Sequence, residues 1–269
     1  MQASAVVRTH LPKALSIVKR LLRLVATLFS VAVLTACSTG TDTSPTMVPS
    51  IPAPAPTISP GGTSVGSIID GVNTAWNSVQ SVQTTFWSTS TEGVADSPPT
   101  AGEVTIDLAI APDRRHVTRL IDGEAVEEQI GVGGRVFMRG AIVVAAIAPM
   151  VGTDTWVEVD PRGADPGSAA AAQIAWLLSP FESPFQRVSE ETRGLEAFPG
   201  EAIEIGGRLC RTWRFGDVNG IQQELAVDEA GLPCRLVQRA GTYANVTTYQ
   251  VNLPSATITP PAVASPTAP

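Results

Sequence analysis

The sequence predicts an α+β domain built on a single curved antiparallel sheet, and two observations predict it. First, the apolar period changes from that of a helix to that of a strand once the domain has begun. Ile68, Ile69, Val72, Trp76, Val79 and Val82 recur at three- and four-residue spacing, with Asp70, Asn73, Asn77 and Gln80 between them. Val104, Ile106, Leu108 and Ile110 then alternate with Thr105, Asp107 and Ala109. Second, later runs are separated by dipeptides suited to hairpin turns. Runs of strands interrupted by helices on one chain read as α+β.

Residues 67–83 are expected to form an amphipathic helix, and residues 104–110 a strand with one buried face. Asp122-Gly123 separates residues 116–121 from 124–132, and Gly133-Gly134 separates that run from 135–139. Aspartate and glycine tolerate positive φ, so both dipeptides fit two-residue hairpin loops. Residues 156–160 read as a short strand. A second helix is expected to start at Asp165-Pro166, an N-cap followed by proline at the first helical position, and to stop at Pro180. It would place Ala170, Ile174, Leu177 and Leu178 on one side. The last third reads as strands at 208–215, 221–228, 234–239 and 242–253, with turns at 216–220, 229–233 and 240–241.

Ahead of this domain lies a start of a different kind. Arg8, Lys13, Lys19, Arg20 and Arg23 precede any acidic residue, and an apolar run, LVATLFSVAVL, follows over residues 24–34. That run suits the core of a signal peptide and is shorter than the roughly 20 apolar residues a spanning helix needs. It ends in Leu34-Thr35-Ala36-Cys37, which resembles the lipobox cut by the lipoprotein signal peptidase. Residues 1–36 are therefore expected to leave as a lipoprotein signal peptide, and Cys37 to carry a diacylglycerol, its amine acylated as well, palmitate being the expected chain. Each buried methylene contributes about 0.8 kcal/mol, so two or three chains anchor stably where one is marginal. Residues 37–64 form the lipidated cysteine and a Ser/Thr/Pro-rich linker, TSPTMVPSIPAPAPTISPGGTS in its latter part, expected to be extended at about 3.1 Å per residue. Residues 65–259 form the domain, and residues 260–269 are expected to be a disordered tail.

Both lysines lie in the signal, and loss of residues 1–36 leaves 13 basic against 25 acidic residues, a net charge of −12. A chain this acidic is not expected to bind nucleic acid, and its membrane association is expected to come from the anchor. The domain would sit on the extracytoplasmic side of the cell membrane.

The helix near residues 68–82 leading into a strand, IGVGGRVFMR (130–139), TWVEVD (155–160), DEAGLPCRL (228–236) and NLPSATITPP (252–261) together resemble the LolA/LolB-like superfamily, most of all its LppX/LprG-type bacterial lipoproteins. The resemblance spans most of the domain and rests on the order of these phrases. It implies an open half β-barrel with helices packed across the concave face, and a hydrophobic cavity between them that takes up acyl chains. Apolar chains gain about 25 cal/mol per Å² on leaving water. Ile69, Val72, Trp76, Val79, Ile106, Leu108, Phe137, Trp156, Ile174, Leu177 and Trp213 are the candidates to line it. Each is equally well explained as packed core, and so are Trp176 and Phe215. One departure from the resemblance is AIVVAAIAPMV (141–151), either an exposed lip or a buried segment.

Cys210 and Cys234 are the cysteines left beside the anchor, and an oxidising compartment favours a disulfide. In a simple meander they would sit two strands apart, about 9.5 Å, and closure fails beyond about 7 Å. Either a bulge or curl brings them together, the outcome expected here, or they are free.

Catalytic chemistry finds little to work with. His116 is the mature chain's sole histidine, in a strand beside Arg114 and Arg115. HExxH, CxxC and P-loop patterns are absent. Glu127-Glu128 and Glu190-Glu191 read as solvated surface, no metal-ligand spacing is found, and no cofactor is expected. Asn245-Val246-Thr247 fits a glycosylation sequon that means little on a bacterial lipoprotein. The function expected is a non-enzymatic, membrane-anchored carrier or chaperone whose ligand is a lipid or an acylated protein. The alternative is an envelope sensor or structural lipoprotein with a filled core, acting through protein contacts.

Overall fold

The computed structural model describes residues 62–95, 97–140, 152–163, 167–216 and 221–263, all within one compact unit. The chain opens with β1 (Thr63–Ser64) and helix α1 (Val65–Trp76), then runs through β2 (Ser81–Ser90), β3 (Glu103–Ile110), β4 (Arg114–Ile121), β5 (Glu124–Val132), β6 (Arg135–Gly140) and β7 (Val157–Val159). Helices α2 (Ala169–Leu177) and α3 (Glu190–Arg193) follow, then β8 (Glu196–Ile205), β9 (Arg208–Gly216), β10 (Gln222–Asp228), β11 (Pro233–Ala240) and β12 (Tyr243–Val251). The strands form one twelve-stranded antiparallel sheet in the order β1-β8-β9-β10-β11-β12-β2-β3-β4-β5-β6-β7, with β1 and β7 as its edges. The sheet is curved and does not close, and the architecture is the α+β open half-barrel expected. The two meanders are joined where β12 pairs with β2, from Tyr243 opposite Ser90 to Val251 opposite Val82.

The hairpins follow their dipeptides. Asp122 and Gly123 have φ of 52° and 83°, and Gly133 and Gly134 have 57° and 75°, positive at both central positions as the right-handed strand twist requires.

Two expectations are corrected, and one strand was not expected. The first helix ends at Trp76, not Gln83, with Asn77 as its C-cap. Val79 lies in the turn that follows and Val82 in β2, yet both are buried beside α1's own apolar side. The chain turns back on itself and delivers them to the same core, which prolongs a helical spacing past the helix. From Ser81 the β-branched and aromatic run Val82, Thr84, Thr85, Phe86, Trp87 favours a strand. The second helix is capped by Ser168, whose side chain accepts from the Ala171 N–H; Asp165-Pro166 and residues 141–151 lie outside the described residues. Strand β8 escaped the period-two pattern because Pro199 and Gly200 interrupt it, and the register shifts there, between Pro199 and Ala202.

At the N-terminal side the fold begins within the expected linker. Thr63 and Ser64 pair with Ala197 and Glu196, and the Ser64 hydroxyl accepts from the Ser67 N–H. At the other end Ile258 is buried beside Ile130 and Phe137. Residues 260–263 carry no regular structure, and 264–269 lie outside the described residues.

Candidate ligand-binding site

The strands present alternate side chains to opposite faces, and register shows which residues share the face that carries the helices. Val82 opposes Ala109, Thr84 opposes Asp107, Asp107 opposes Val117, Val117 opposes Gln129, and Gln129 opposes Met138. At one end of this row Val82 and Ala109 pack with Ile69, Val72 and Trp76 of α1. At the other, Val117, Val136, Met138 and Val159 pack with Ile174 and Leu177 of α2. Both helices therefore lie over one face, α1 toward β9–β12 and β2, α2 toward β4–β7.

Residues 179–188 run from α2 back toward α1 across this face. Phe181 stacks on Trp76 at 5.8 Å between ring centroids, Phe185 tilts against Tyr249, and the Ser183 hydroxyl donates to Asn73 Oδ1 at 2.6 Å. The α1 half is sealed: Ile69 and Val72 are each 1% exposed.

Beneath α2 the attachment is of two kinds. Apolar contact comes from Ile174 and Leu177 on the floor of Val117, Val136, Met138 and Val159. A polar clasp comes from Arg115 of β4, whose guanidinium lies 4.3 Å from the centre of the Trp176 ring and donates to Trp176 O and Ser179 Oγ. A cation on the last carbonyls of a helix also meets the negative end of its dipole. Gly131 lets the two approach, since a Cβ there would stand 2.3 Å from the Leu177 carbonyl oxygen.

The same face also carries polar pairs, some of them beneath α2. Arg119 is held by Glu103 at 2.7 Å and by Glu127 at 3.5 Å. Gln173 of α2 donates to Gln129, which donates to Glu127. Asp107 lies 3.4 Å from Arg115 Nε. Burial pushes the Asp107 carboxyl up to about 6, against the opposing pull of the Arg115 guanidinium.

The eleven cavity candidates do not converge. Ile69, Val72, Trp76 and Val79 pack beneath α1 with Trp213 beside them, and Ile174 and Leu177 sit beneath α2. Ile106, Leu108, Phe137 and Trp156 point to the other face. Ile106 packs there with Trp87 and Val104, and Leu108, Phe137 and Trp156 pack with Ile130 and Ile258. They occupy the odd or even positions opposite to the helix-facing ones on their strands, so no single cavity between sheet and helices is lined by all eleven. Sequence reasoning missed Val117, Val136, Met138 and Val159, the floor of α2. Alternation within β4 and β6 carries that signal once the register is known.

On the face away from the helices, His116 contacts Glu128 at 3.1 Å, and Glu128 is also held by Arg139. Burial and the Arg139 charge lower the His116 pKa. Cys210 and Cys234 form a disulfide with their Cα atoms 6.5 Å apart. They stand on strands separated by β10. Ala226 pairs with Arg235 but Val227 pairs with Pro233, so Cys234 is the extra residue of a bulge, and this closes the distance a regular meander would keep. At the N-terminus of α1, a shallow polar depression is lined by Ser64, Ser67, Asp70, Glu190 and Arg193; Arg193 fills it with ion pairs to Asp70 and Glu190. Among the described residues, no group of three or more His, Cys, Asp or Glu side chains is placed to hold a metal ion, and no helix is long and apolar enough to cross a membrane.

No protein-family model and no curated protein sequence matches the chain. Solved structures do. The chain is similar to the lipoprotein LppX of Mycobacterium tuberculosis at 12% identity, over 71% of this chain and 97% of that one, with a TM-score of 0.43. It is similar to LprF of Mycobacterium bovis at 10% identity, over 74% and 97%, with a TM-score of 0.46. A LolA superfamily protein of Nitrosomonas europaea aligns at 8% identity over 70% and 92%, with a TM-score of 0.25. At these identities and scores the likeness lends this chain no chemistry.

Proposed function

We propose that this protein is a lipid-anchored, non-enzymatic binding protein of the cell envelope that takes up an acyl chain by displacing α2 from the sheet. The observation that carries the reading is the contrast between the two helices. α1 is twelve residues long and packs into the larger apolar cluster, whereas α2 is nine residues long, packs Ile174 and Leu177 on Val117, Val136, Met138 and Val159, and is fastened by the Arg115 clasp and the Gln173–Gln129 hydrogen bond. Lifting α2 would uncover Val117, Val136, Met138 and Val159 on the sheet and free Ile174 and Leu177. That is apolar surface an acyl chain can cover at about 25 cal/mol per Å². Anchoring at Cys37 is supported by the order of basic start, apolar run and lipobox. Ligand would come from the membrane to which the linker tethers the domain.

The test is organic extraction of the protein purified from membranes, followed by mass spectrometry. Stoichiometric lipid beyond the covalent anchor is expected; protein free of extractable lipid in every preparation would defeat the carrier reading. A second reading is favoured by the sealed α1 half and the charge-paired floor: a tethered sensor or scaffold with a filled core. It requires that α2 stay docked, so amide hydrogens of residues 169–177 would exchange as slowly as those of α1.

A further inference from the structure

The face away from the helices carries an apolar patch of its own. Leu108 and Ile110 of β3, Ile130 and Val132 of β5, Phe137 of β6 and Trp156 gather there, and Ile258 is buried against them. Ile258 belongs to the segment that follows β12. That segment leaves the sheet on three hydrogen bonds: the Asn252 N–H donates to Ser81 O, the Leu253 N–H donates to Ser81 Oγ, and Asn252 Oδ1 accepts from the Gln80 N–H. Among the described residues, no further hydrogen bond ties 254–263 to the sheet, and Ile258 is the one buried side chain of that stretch. Between the two attachments Ser255 has φ of 63°, a left-handed backbone that serine rarely adopts and that carries strain. Thr257-Ile258-Thr259-Pro260 therefore lies on the patch as a tethered strap, fixed by one isoleucine.

The chain contains this pattern twice. Thr57-Ile58-Ser59-Pro60 of the linker repeats it with serine for threonine, and no third Thr-Ile-x-Pro occurs. We infer that the patch also receives Ile58 from the linker of a neighbouring copy, in exchange for its own Ile258. One isoleucine followed two residues on by proline replaces another, so the apolar surface covered is nearly the same, and the strain at Ser255 is released. The linker of the same chain is badly placed to do this. β1 is seven places from β3 in the sheet order, about 34 Å along the outer face at about 4.8 Å a strand, whereas the chain from Ile58 to Gly62 spans at most about 14 Å. A short tether holds the strap at an effective concentration on the order of mM, so exchange needs copies crowded on a surface. The inference therefore rests on anchoring at Cys37 but not on uptake of lipid. Because the β1 edge of one copy meets the outer face of another, the contact is heterologous and can extend beyond a pair.

The experiment uses the lipidated protein reconstituted on phosphatidylcholine vesicles as an equal mixture of isotopically light and heavy copies. The photoreactive residue p-benzoylphenylalanine replaces Ser59, whose counterpart Thr259 is exposed, so Ile58 itself is kept. Irradiation should join position 59 of one copy to β5 or β6 of another, read by mass spectrometry. Adding Ile58→Asp in the linker should lower the yield about fivefold or more. Excess peptide of sequence 254–263 should compete the cross-link away, and Ile258→Asp, which vacates the patch, should raise the yield about threefold or more. The linker variant and the competing peptide leave the strap unaltered, so they decide the matter even if Ile258→Asp fails to fold. Absence of a product between copies, a yield unchanged by Ile58→Asp or by excess peptide, or product confined to one chain overturns the exchange. Protein that does not stay with the vesicles overturns the anchor and the exchange with it, and lipid extraction still judges the carrier reading separately.

Discussion

At the residue scale, Asp107 makes the sharpest prediction. Its carboxyl is raised from 3.8 to about 6 by burial, so the folded state holds that proton more tightly than the unfolded chain does. The stability this adds is complete below about pH 3.8 and is lost as pH rises through about 6, amounting to about 3 kcal/mol. Asp107→Asn stays neutral throughout. Its melting temperature relative to the wild type should therefore climb between about pH 4 and pH 7 and then level off; a difference independent of pH would mean that the carboxyl carries no buried charge. The cysteines give a second test. Intact mass should rise by two hydrogens on reduction, and replacing both by serine should cost about 3 kcal/mol, the effect of closing a loop with a separation of 24 residues. The cysteine pair could be inferred from compartment chemistry alone, but its distance could not, because a bulge at one residue of β11 decides it.

At the scale of elements, Gly131 marks where α2 meets the sheet. Gly131→Ala would press a methyl on the Leu177 carbonyl and push the helix outward. An overpacking cost of about 1–3 kcal/mol is expected, with faster amide exchange across Ala169–Leu177 and no change across α1. Unaltered exchange in α2 would show that the helix is not the movable part. At the other helix, Ser64→Ala removes the N-cap bond to Ser67 and should cost about 1 kcal/mol in thermal unfolding. Most strands were legible because alternation and positive-φ dipeptides are written in neighbouring residues. The end of α1 was not, since Val79 and Val82 are apolar for the sake of a core reached after the turn. β8 was hidden by a bulge that makes sense only opposite β9.

At the scale of the whole molecule, the expected outcome concerns Cys37. Cys37→Ser should abolish incorporation of labelled fatty acid and leave the signal segment attached, read by labelling and intact mass. Fatty-acid label retained by that variant would place the attachment elsewhere. The candidate site was only half legible at this scale. Ile174 and Leu177 were found from helical spacing, while Ile106, Leu108, Phe137 and Trp156 joined the same set because apolar residues of both sheet faces look alike in one dimension.

The sequence by itself determined the fold class, the hairpin positions and the segment order that ends at Cys37, all of which depend on residues close together in the chain. Tertiary structure decided which face each strand turns to the helices, which residues pack beneath each helix, and that Asp107 and Arg115 come within 3.4 Å of each other. The reason is physical: periodicity is a local property of the backbone, whereas facing, closure and the pairing of buried polar atoms depend on register between segments far apart in sequence.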